Sequence, residues 1–237
     1  MAYIEGFVVA VPAANEEIYR QHAVTVAAIL KEHGVGRMVE AWGDEVPDGK
    51  ITDFRRAVKA KDDEVIVFSW FEYPSKQARD TANAKMMSDP RMKEMGSTMP
   101  FDGQRMIYGG FKSMIDERAE GEVGYIDGSL VPVPTANKDA YHTQAVQQVA
   151  VLMEYGAIRV VDAWGDDVPN GKVTDYKGAV KAEDGEQVVY TWIEWPSKEV
   201  RDAGWQKVMT DPRMFPESTP YDNMRRVYGG FRPILDT

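Results

Sequence analysis

One block of sequence constrains this chain more than any other, because it occurs twice. Ala41-Trp42-Gly43-Asp44, continuing through Val46-Pro47-Asp48-Gly49-Lys50 to Thr52-Asp53, returns as Ala163-Trp164-Gly165-Asp166, Val168-Pro169-Asn170-Gly171-Lys172 and Thr174-Asp175. Trp42 and Trp164 are 122 residues apart in a chain of 237. A fold for this chain must therefore be a fold for one module used twice. A module of that size can bury a core of its own, at the smaller end of independently stable domains.

Composition narrows the class. Hydrophobic residues make up 43% and charged residues 28% of the chain, a balance that argues for a globular fold rather than disorder. The formal net charge of −10, without any Lys/Arg cluster, disfavours a nucleic-acid surface, which needs concentrated positive charge to displace counterions. The lack of cysteine removes disulfides, thiolate metal sites and a Cys nucleophile together. Met1-Ala2-Tyr3-Ile4-Glu5-Gly6 lacks the basic start of a signal peptide, and no apolar run approaches the ~18 residues of a membrane span. The expectation is a cytoplasmic protein with neither a nucleic-acid nor a membrane partner.

Tyr3 to Val11 reads as a strand, with Tyr3, Glu5, Phe7 and Val9 on one face and Ile4, Gly6 and Val8 on the other. Asn15 is placed to cap a helix in which Ile18, Tyr19, His22, Ala23, Val26, Ala27 and Leu30 recur at three- and four-residue spacing, and Gly34 to end it. Arg37 to Gly43 is a second strand, with Met38, Glu40 and Trp42 on one face. Phe54 to Ala60 is expected as a further strand, in a hairpin with Glu64 to Tyr73. Ser75 caps a second helix, Asp89-Pro90 opens a short extra one, and Gln104 to Phe111 is the last strand. This order, βαβ(β)βαβ, is the ferredoxin-like plan with one inserted strand, an antiparallel sheet covered by helices on one face. The other face needs a partner. Tyr125-Ile126-Asp127-Gly128 restarts the pattern of Tyr3-Ile4-Glu5-Gly6, which sets the modules at 1–113 and 125–237, with the charged stretch 114–124 as linker.

The repeated block, with Thr52-Asp53-Phe54-Arg55-Arg56-Ala57-Val58-Lys59-Ala60, Phe68-Ser69-Trp70, Tyr73-Pro74-Ser75-Lys76, Met86-Met87-Ser88-Asp89-Pro90-Arg91-Met92 and Tyr108-Gly109-Gly110-Phe111, resembles the YbaA-like bacterial proteins. That is a family of unknown function (DUF1428), usually a single module of this length. The resemblance covers nearly all of each half. It implies a dimeric α+β barrel in which two ferredoxin-like sheets face each other. It implies no activity, and no catalytic residue can be carried over from it. Because two modules are fused here, the halves are expected to pair within one chain, the linker raising their effective concentration. A homodimer of the fused chain is left open.

Candidate site residues come from alternation along the strands. Glu40 and Trp42 share a face, as do Phe68, Trp70 and Glu72, and the second copy keeps Asp162, Trp164, Trp192 and Glu194. If those faces look into the barrel, aromatics and carboxylates line a small-molecule pocket in which burial raises a carboxyl pKa. The plainer reading is that the tryptophans fill the core or interface and the acids pair with Arg37 or Arg105. Arg105, Tyr108, Arg225 and Tyr228, beside the repeated Gly-Gly, complete the candidate set; the glycines themselves read as a bulge rather than a phosphate loop. His22, His33 and His142 do not coincide under the repeat, which speaks against a symmetric haem or His-ligated metal site, so no metal or cofactor is expected. Asp44, Glu45, Asp48 and Asp53 lack EF-hand spacing and read as a turn. Met86, Met87, Met92, Met95 and Met99 read as core or interface filler.

The sequence thus predicts two tandem ferredoxin-like α+β modules in an intramolecular barrel: a non-catalytic protein with a structural repeat interface and room for a small molecule. The alternative is a cofactor-independent oxygenase or isomerase using Glu72/Glu194 or Glu40/Asp162 as acid–base groups.

Overall fold

Runs of β-branched and aromatic residues build the strands, and the repeat builds them twice. In the computed structural model, which describes residues 2–237, the first half contributes β1 (Tyr3–Pro12), β2 (Arg37–Glu45), β3 (Glu64–Tyr73) and β4 (Ile107–Arg118). The second contributes β5 (Tyr125–Pro134), β6 (Arg159–Asp167), β7 (Glu186–Trp195) and β8 (Val227–Asp236). Each half has the ferredoxin-like strand order, β4-β1-β3-β2 and β8-β5-β7-β6, all antiparallel. The edges of one half then pair with those of the other, β2 with β8 and β4 with β6, closing an eight-stranded barrel. Closure leaves no sheet edge open among the described residues. The register shifts at Gly43/Glu45 and Gly110/Phe111 fall on those two joining seams, so the Gly-Gly motif lies at a bulge as its composition suggested.

The helices are α1 (Glu16–Glu32), α2 (Phe54–Ala57), α3 (Lys76–Ser88), α4 (Pro90–Ser97), α5 (Lys138–Glu154), α6 (Tyr176–Ala179) and α7 (Lys198–Val208). Ser75 and Ser197 cap α3 and α7 through their hydroxyls, and Asp89 accepts from the Arg91 amide at the start of α4. Gly34, at φ +101°, carries the chain out of α1 in the left-handed conformation. Asn15 does not cap α1 with its side chain; its Nδ2 donates to the Pro100 carbonyl at 2.9 Å and ties the helix start to the loop before β4. Asn137 does the same with Pro220.

Phe54 to Ala60 is not a strand, and there is no hairpin with β3. Asp53 accepts hydrogen bonds from the amides of Arg56 (2.7 Å) and Gly49 (3.1 Å), which nucleates the single helical turn of α2. The chain then leaves through Lys59 at φ +49°, a conformation no strand contains. Asp175 and Lys181 repeat the arrangement around α6. A local cap has overridden the strand propensity of the segment. β4 also runs further than expected, pairing with β6 up to Arg118, so part of the stretch read as linker is strand.

Alternation along the strands sorts side chains into three cores: one inside the barrel, and one under the helices of each half.

Candidate functional site

The barrel interior is packed with aromatic rings from both halves, each at most 2% exposed. Trp70 and Trp192 meet with centroids 4.4 Å apart, and Phe68 stacks on Tyr190 at 4.5 Å and 7°. Phe54, Phe111, Tyr176 and Phe231 surround them, mostly edge to face. Close approach is permitted by glycine on β1 and β5. A Cβ at Gly6 would stand 2.8 Å from the Tyr190 ring, and one at Gly128 would stand 3.0 Å from Phe68. α2 and α6 close one mouth, where the Thr52 hydroxyl donates to Ala179 O (2.6 Å) and the Thr174 hydroxyl to Ala57 O.

The other mouth is closed by ions. Arg37 lies opposite Glu72 in the β2–β3 register, yet its two-bond fork goes to Glu194 of the other half, at 2.8 and 3.2 Å. Arg159 returns the exchange, forking onto Glu72 at 2.6 and 3.0 Å. Asp236 and Asp116, at the ends of β8 and β4, take the remaining guanidinium faces. The Trp70 and Trp192 indoles donate to Glu72 and Glu194, and the two guanidinium groups lie 5.8 and 5.3 Å from those rings. Burial alone would raise the Glu72 carboxyl, but the Arg159 bonds and charge outweigh it and hold Glu72 below the usual range. Asp116, also raised by burial, is pulled down to about 2 by Arg118 and Arg159.

The repeated block contributes to the same junction. Asp44 accepts from the Tyr125 hydroxyl (2.9 Å) and Lys198 (2.5 Å) of the second half, while Asp166 accepts from Tyr3 (3.1 Å) and Lys76 (2.8 Å) of the first. Thr52 and Thr174, in the same block, make the crossing bonds at the opposite mouth.

Glu40, Trp42, Asp162 and Trp164 do not look into the barrel. The strands place them outward, in the layers under α1 and α5, because Val39 and Ala41, with Val161 and Ala163, take the inward positions. There Glu40 accepts from the Tyr19 hydroxyl at 2.6 Å and from Ser69, and burial without a cationic partner pushes its carboxyl up to about 7. Asp162 is raised by the same burial and is held by Tyr141 (3.0 Å) and Thr191. The candidate residues therefore fall in different places. Trp70, Glu72, Trp192 and Glu194 are joined inside the barrel, and the two outward pairs lie one in each helix layer. Arg105 and Arg225 form buried forks with Glu64 and Glu186 instead of the candidate acids, and Tyr108 and Tyr228 are half exposed. Of the methionines, Met86 and Met92 pack against the first layer, whereas Met87 is exposed.

A shallow depression of about 810 Å³ runs along the outer face of α3, between Lys76 and Ser88, and contains none of these residues. No group of three His, Cys, Asp or Glu among the described residues could hold a metal ion. Among the described residues no helix is long and apolar enough to cross a membrane. The partners Tyr19, Ser69, Asp116 and Asp236 escaped sequence reasoning. Tyr19 and Tyr141 share one repeat position and offered a signal; the two strand-end aspartates offered none.

Similarity to solved structures extends over the whole chain at low identity. A candidate monooxygenase from Lactobacillus acidophilus NCFM superposes with TM-score 0.61 at 10% identity, covering 100% of this chain and 95% of its own. An anthrone oxidase-like protein superposes with TM-score 0.53 at 10% identity, covering 100% and 92%. These likenesses establish the fold, a dimeric α+β barrel. Sequence similarity is closer: the uncharacterized protein YbaA of Escherichia coli K12 is 64% identical over 117 residues, which is 49% of this chain and 100% of that one. YbaA of Shigella flexneri matches equally. The family model described as a protein of unknown function (DUF1428) matches residues 2–103 and again 124–223. With both halves matched, the chain belongs to the DUF1428 family, as a tandem pair of its modules.

Proposed function

We propose that the barrel of this protein is a structural junction, locking two modules in one orientation, and not a reaction centre. The observation that carries this reading is the exchange of arginine forks between halves, Arg37 to Glu194 and Arg159 to Glu72, over the touching rings of Trp70 and Trp192. A carboxylate held ionised by two arginines is a poor proton acceptor, and a packed interior leaves a substrate no room. Thermal unfolding of Arg159→Met tests it. Glu72 would keep only the 3.4 Å contacts of Arg37 and Arg118 and its Trp70 bond, while Asp116 keeps Arg118. The loss should therefore approach but not exceed about 3–5 kcal/mol, the usual penalty for breaking a buried pair from one side. Wild-type stability in that variant would overturn the reading. So would a small molecule retained in native mass spectrometry and lost on Glu72→Gln.

A second reading is favoured by Glu40. A buried carboxyl titrating near pH 7, bonded to the Tyr19 hydroxyl, has the pKa of an efficient general acid or base. Two proteins of the same fold are described as a candidate monooxygenase and as anthrone oxidase-like. On this reading the outer layers, with Glu40 and Asp162 as proton-transferring groups, house a cofactor-independent oxygenase. Dioxygen uptake with anthrone as probe, present in wild type and lost in Glu40→Gln, would support it; no uptake by the wild type removes it for that probe class.

A further inference from the structure

The segment that leads into the last strand of the first half, α4 and the loop after it, is held from its two ends. α4 has no buried residue, and Met92 packs only partly into the layer beneath. Yet this segment covers the Tyr19–Glu40 pair, because Phe101 lies against the Tyr19 ring with centroids 5.7 Å apart. Near Phe101 the tie is Asn15 Nδ2, which donates to the Pro100 carbonyl. At the other end Asp89 clips α4 to the end of α1. It accepts from the Arg91 amide (2.9 Å) and guanidinium (2.7 Å) and from His33 Nε2 (2.9 Å), and Arg91 reaches on to Glu32 (2.8 Å).

The second half repeats the clip with one change. Asp211 accepts from the Arg213 amide and guanidinium, and Arg213 reaches Glu154, but the place of His33 is taken by Tyr155, whose hydroxyl donates at 2.8 Å. Asn137 ties Pro220, and Tyr221 lies against Tyr141 as Phe101 does against Tyr19. A single 3-10 turn, Pro212–Met214, replaces α4. A carboxylate only accepts, so both latching groups must donate. A phenol stays a neutral donor across neutral pH, and the Asp211 bond raises the Tyr155 pKa further. An imidazole changes its charge between about pH 5 and 8. The charged groups facing His33 are Asp89 and Arg91 across the α3–α4 corner and Glu32 on α1. Arg91 and His33 hold the Asp89 carboxyl below its usual range, so it stays ionised while the imidazole changes. With its proton, His33 makes a charge-assisted bond and adds a cation to a clip of two acids and one arginine. Without it the bond is an ordinary one, so the clip slackens as pH rises. Glu40 pulls the same way: no cation stands beside it, and its ionisation favours a state in which water reaches it.

We propose that residues 90–103 are a pH-dependent lid over the Tyr19–Glu40 pair, latched through His33 and Asp89, and that the second half, latched by Tyr155, has no titrating latch. The lid loosens in the direction of pH that turns Glu40 into a proton acceptor. The inference deepens the reading in which Glu40 transfers protons and rests on it for its purpose; the latch itself rests on the contacts of Asp89.

Hydrogen exchange of the full chain, followed by mass spectrometry at pH 6 and pH 8 and corrected for the pH dependence of the chemical step, reads the opening of each segment. Protection of residues 90–103 should fall by roughly three- to tenfold between the two, the difference between a charge-assisted and a neutral hydrogen bond. That of residues 212–223 should change less. His33→Tyr should flatten the response of the first segment, and Tyr155→His should give the second segment one. Each variant installs the residue that the other half already carries, so a loss in one and a gain in the other separate the latch from general destabilisation. In a Glu40→Gln background the part that depends on His33 should persist. Exchange needs no substrate, whereas the proton-transfer reading is decided by dioxygen uptake, so the two can fail separately. Equal responses in the two segments, an unchanged response in His33→Tyr, or loss of the His33 part in Glu40→Gln would overturn the proposal.

Discussion

Tyr176 carries a hydroxyl that the fold does not use. Its ring, on α6, is fully buried and edge-on to Phe111 (5.2 Å, 83°) and Tyr190 (5.9 Å, 85°). Its oxygen is buried without a hydrogen-bond partner, and burial raises its pKa well above the usual value, so it stays protonated throughout the working pH range. The equivalent residue of the first half, Phe54, fills the same place with a bare ring. Tyr176→Phe should therefore relieve the desolvation of an unpaired hydroxyl, about 1–3 kcal/mol, less the contacts of one lost oxygen atom. A net gain of about 1 kcal/mol corresponds to roughly 2–4 °C in a chain of this size. Urea denaturation should show a higher midpoint at constant slope, the signature of altered stability rather than altered compactness. The control is Tyr190→Phe, the same deletion on the neighbouring ring. Tyr190 donates to Ser69 O at 2.9 Å, so losing its hydroxyl removes a buried hydrogen bond and should destabilise by about 1 kcal/mol. Opposite signs for one chemical change on two touching rings is the expected result. A Tyr176→Phe variant less stable than wild type would refute the reasoning.

Three further outcomes are expected. Glu40 keeps its proton up to about pH 7 in the folded chain, against 4.5 for a free carboxyl, so its contribution is full below 4.5 and is lost as pH rises through 7. Melting temperatures across that range should fall for the wild type and fall less for Glu40→Gln; parallel curves would contradict the assignment. Gly6→Ala, which pushes a methyl against the Tyr190 ring, should destabilise by about 1–3 kcal/mol in thermal unfolding, the usual effect of overpacking. Residues 1–118 produced alone expose the β2 and β4 edges and should dimerise on a sizing column, since those edges find partners only in a second module. A stable monomer would show that closure is dispensable.

Much of the fold was legible because two independent signals agreed. The repeat set the module, and within it strand alternation and the caps at Ser75 and Asp89 pointed to the same elements. The sequence misled where a local bond decided the outcome. Phe54 to Ala60 has strand-like composition, but the Asp53 side chain, at the residue just before it, wins the backbone for a helix. Alternation showed that Glu40 and Trp42 share a face and that Trp70 and Glu72 share one. It could not show that the first face looks out and the second in, since both mix a tryptophan with an acid. The smaller neighbours decide it: Val39 and Ala41 leave space inside that the rings of β3 and β7 fill. Arg37 was legible as a partner for an acid; that the acid belongs to the other half depends on closure, which no local pattern encodes.

The stacked pair Phe68–Tyr190 has a consequence for how such a barrel can change. When two identical copies meet across a two-fold axis, a residue near the axis faces itself, and each mutation there arrives in duplicate. A viable step must then suit both sides at once. In the tandem chain the two sides are separate codons. Trp70 still faces Trp192, but Phe68 faces a tyrosine whose hydroxyl has found Ser69, and Phe54 has a hydroxylated counterpart in Tyr176. Joining the modules turns a symmetric seam into one that can drift a residue at a time, toward unlike pairs that identical copies can never form.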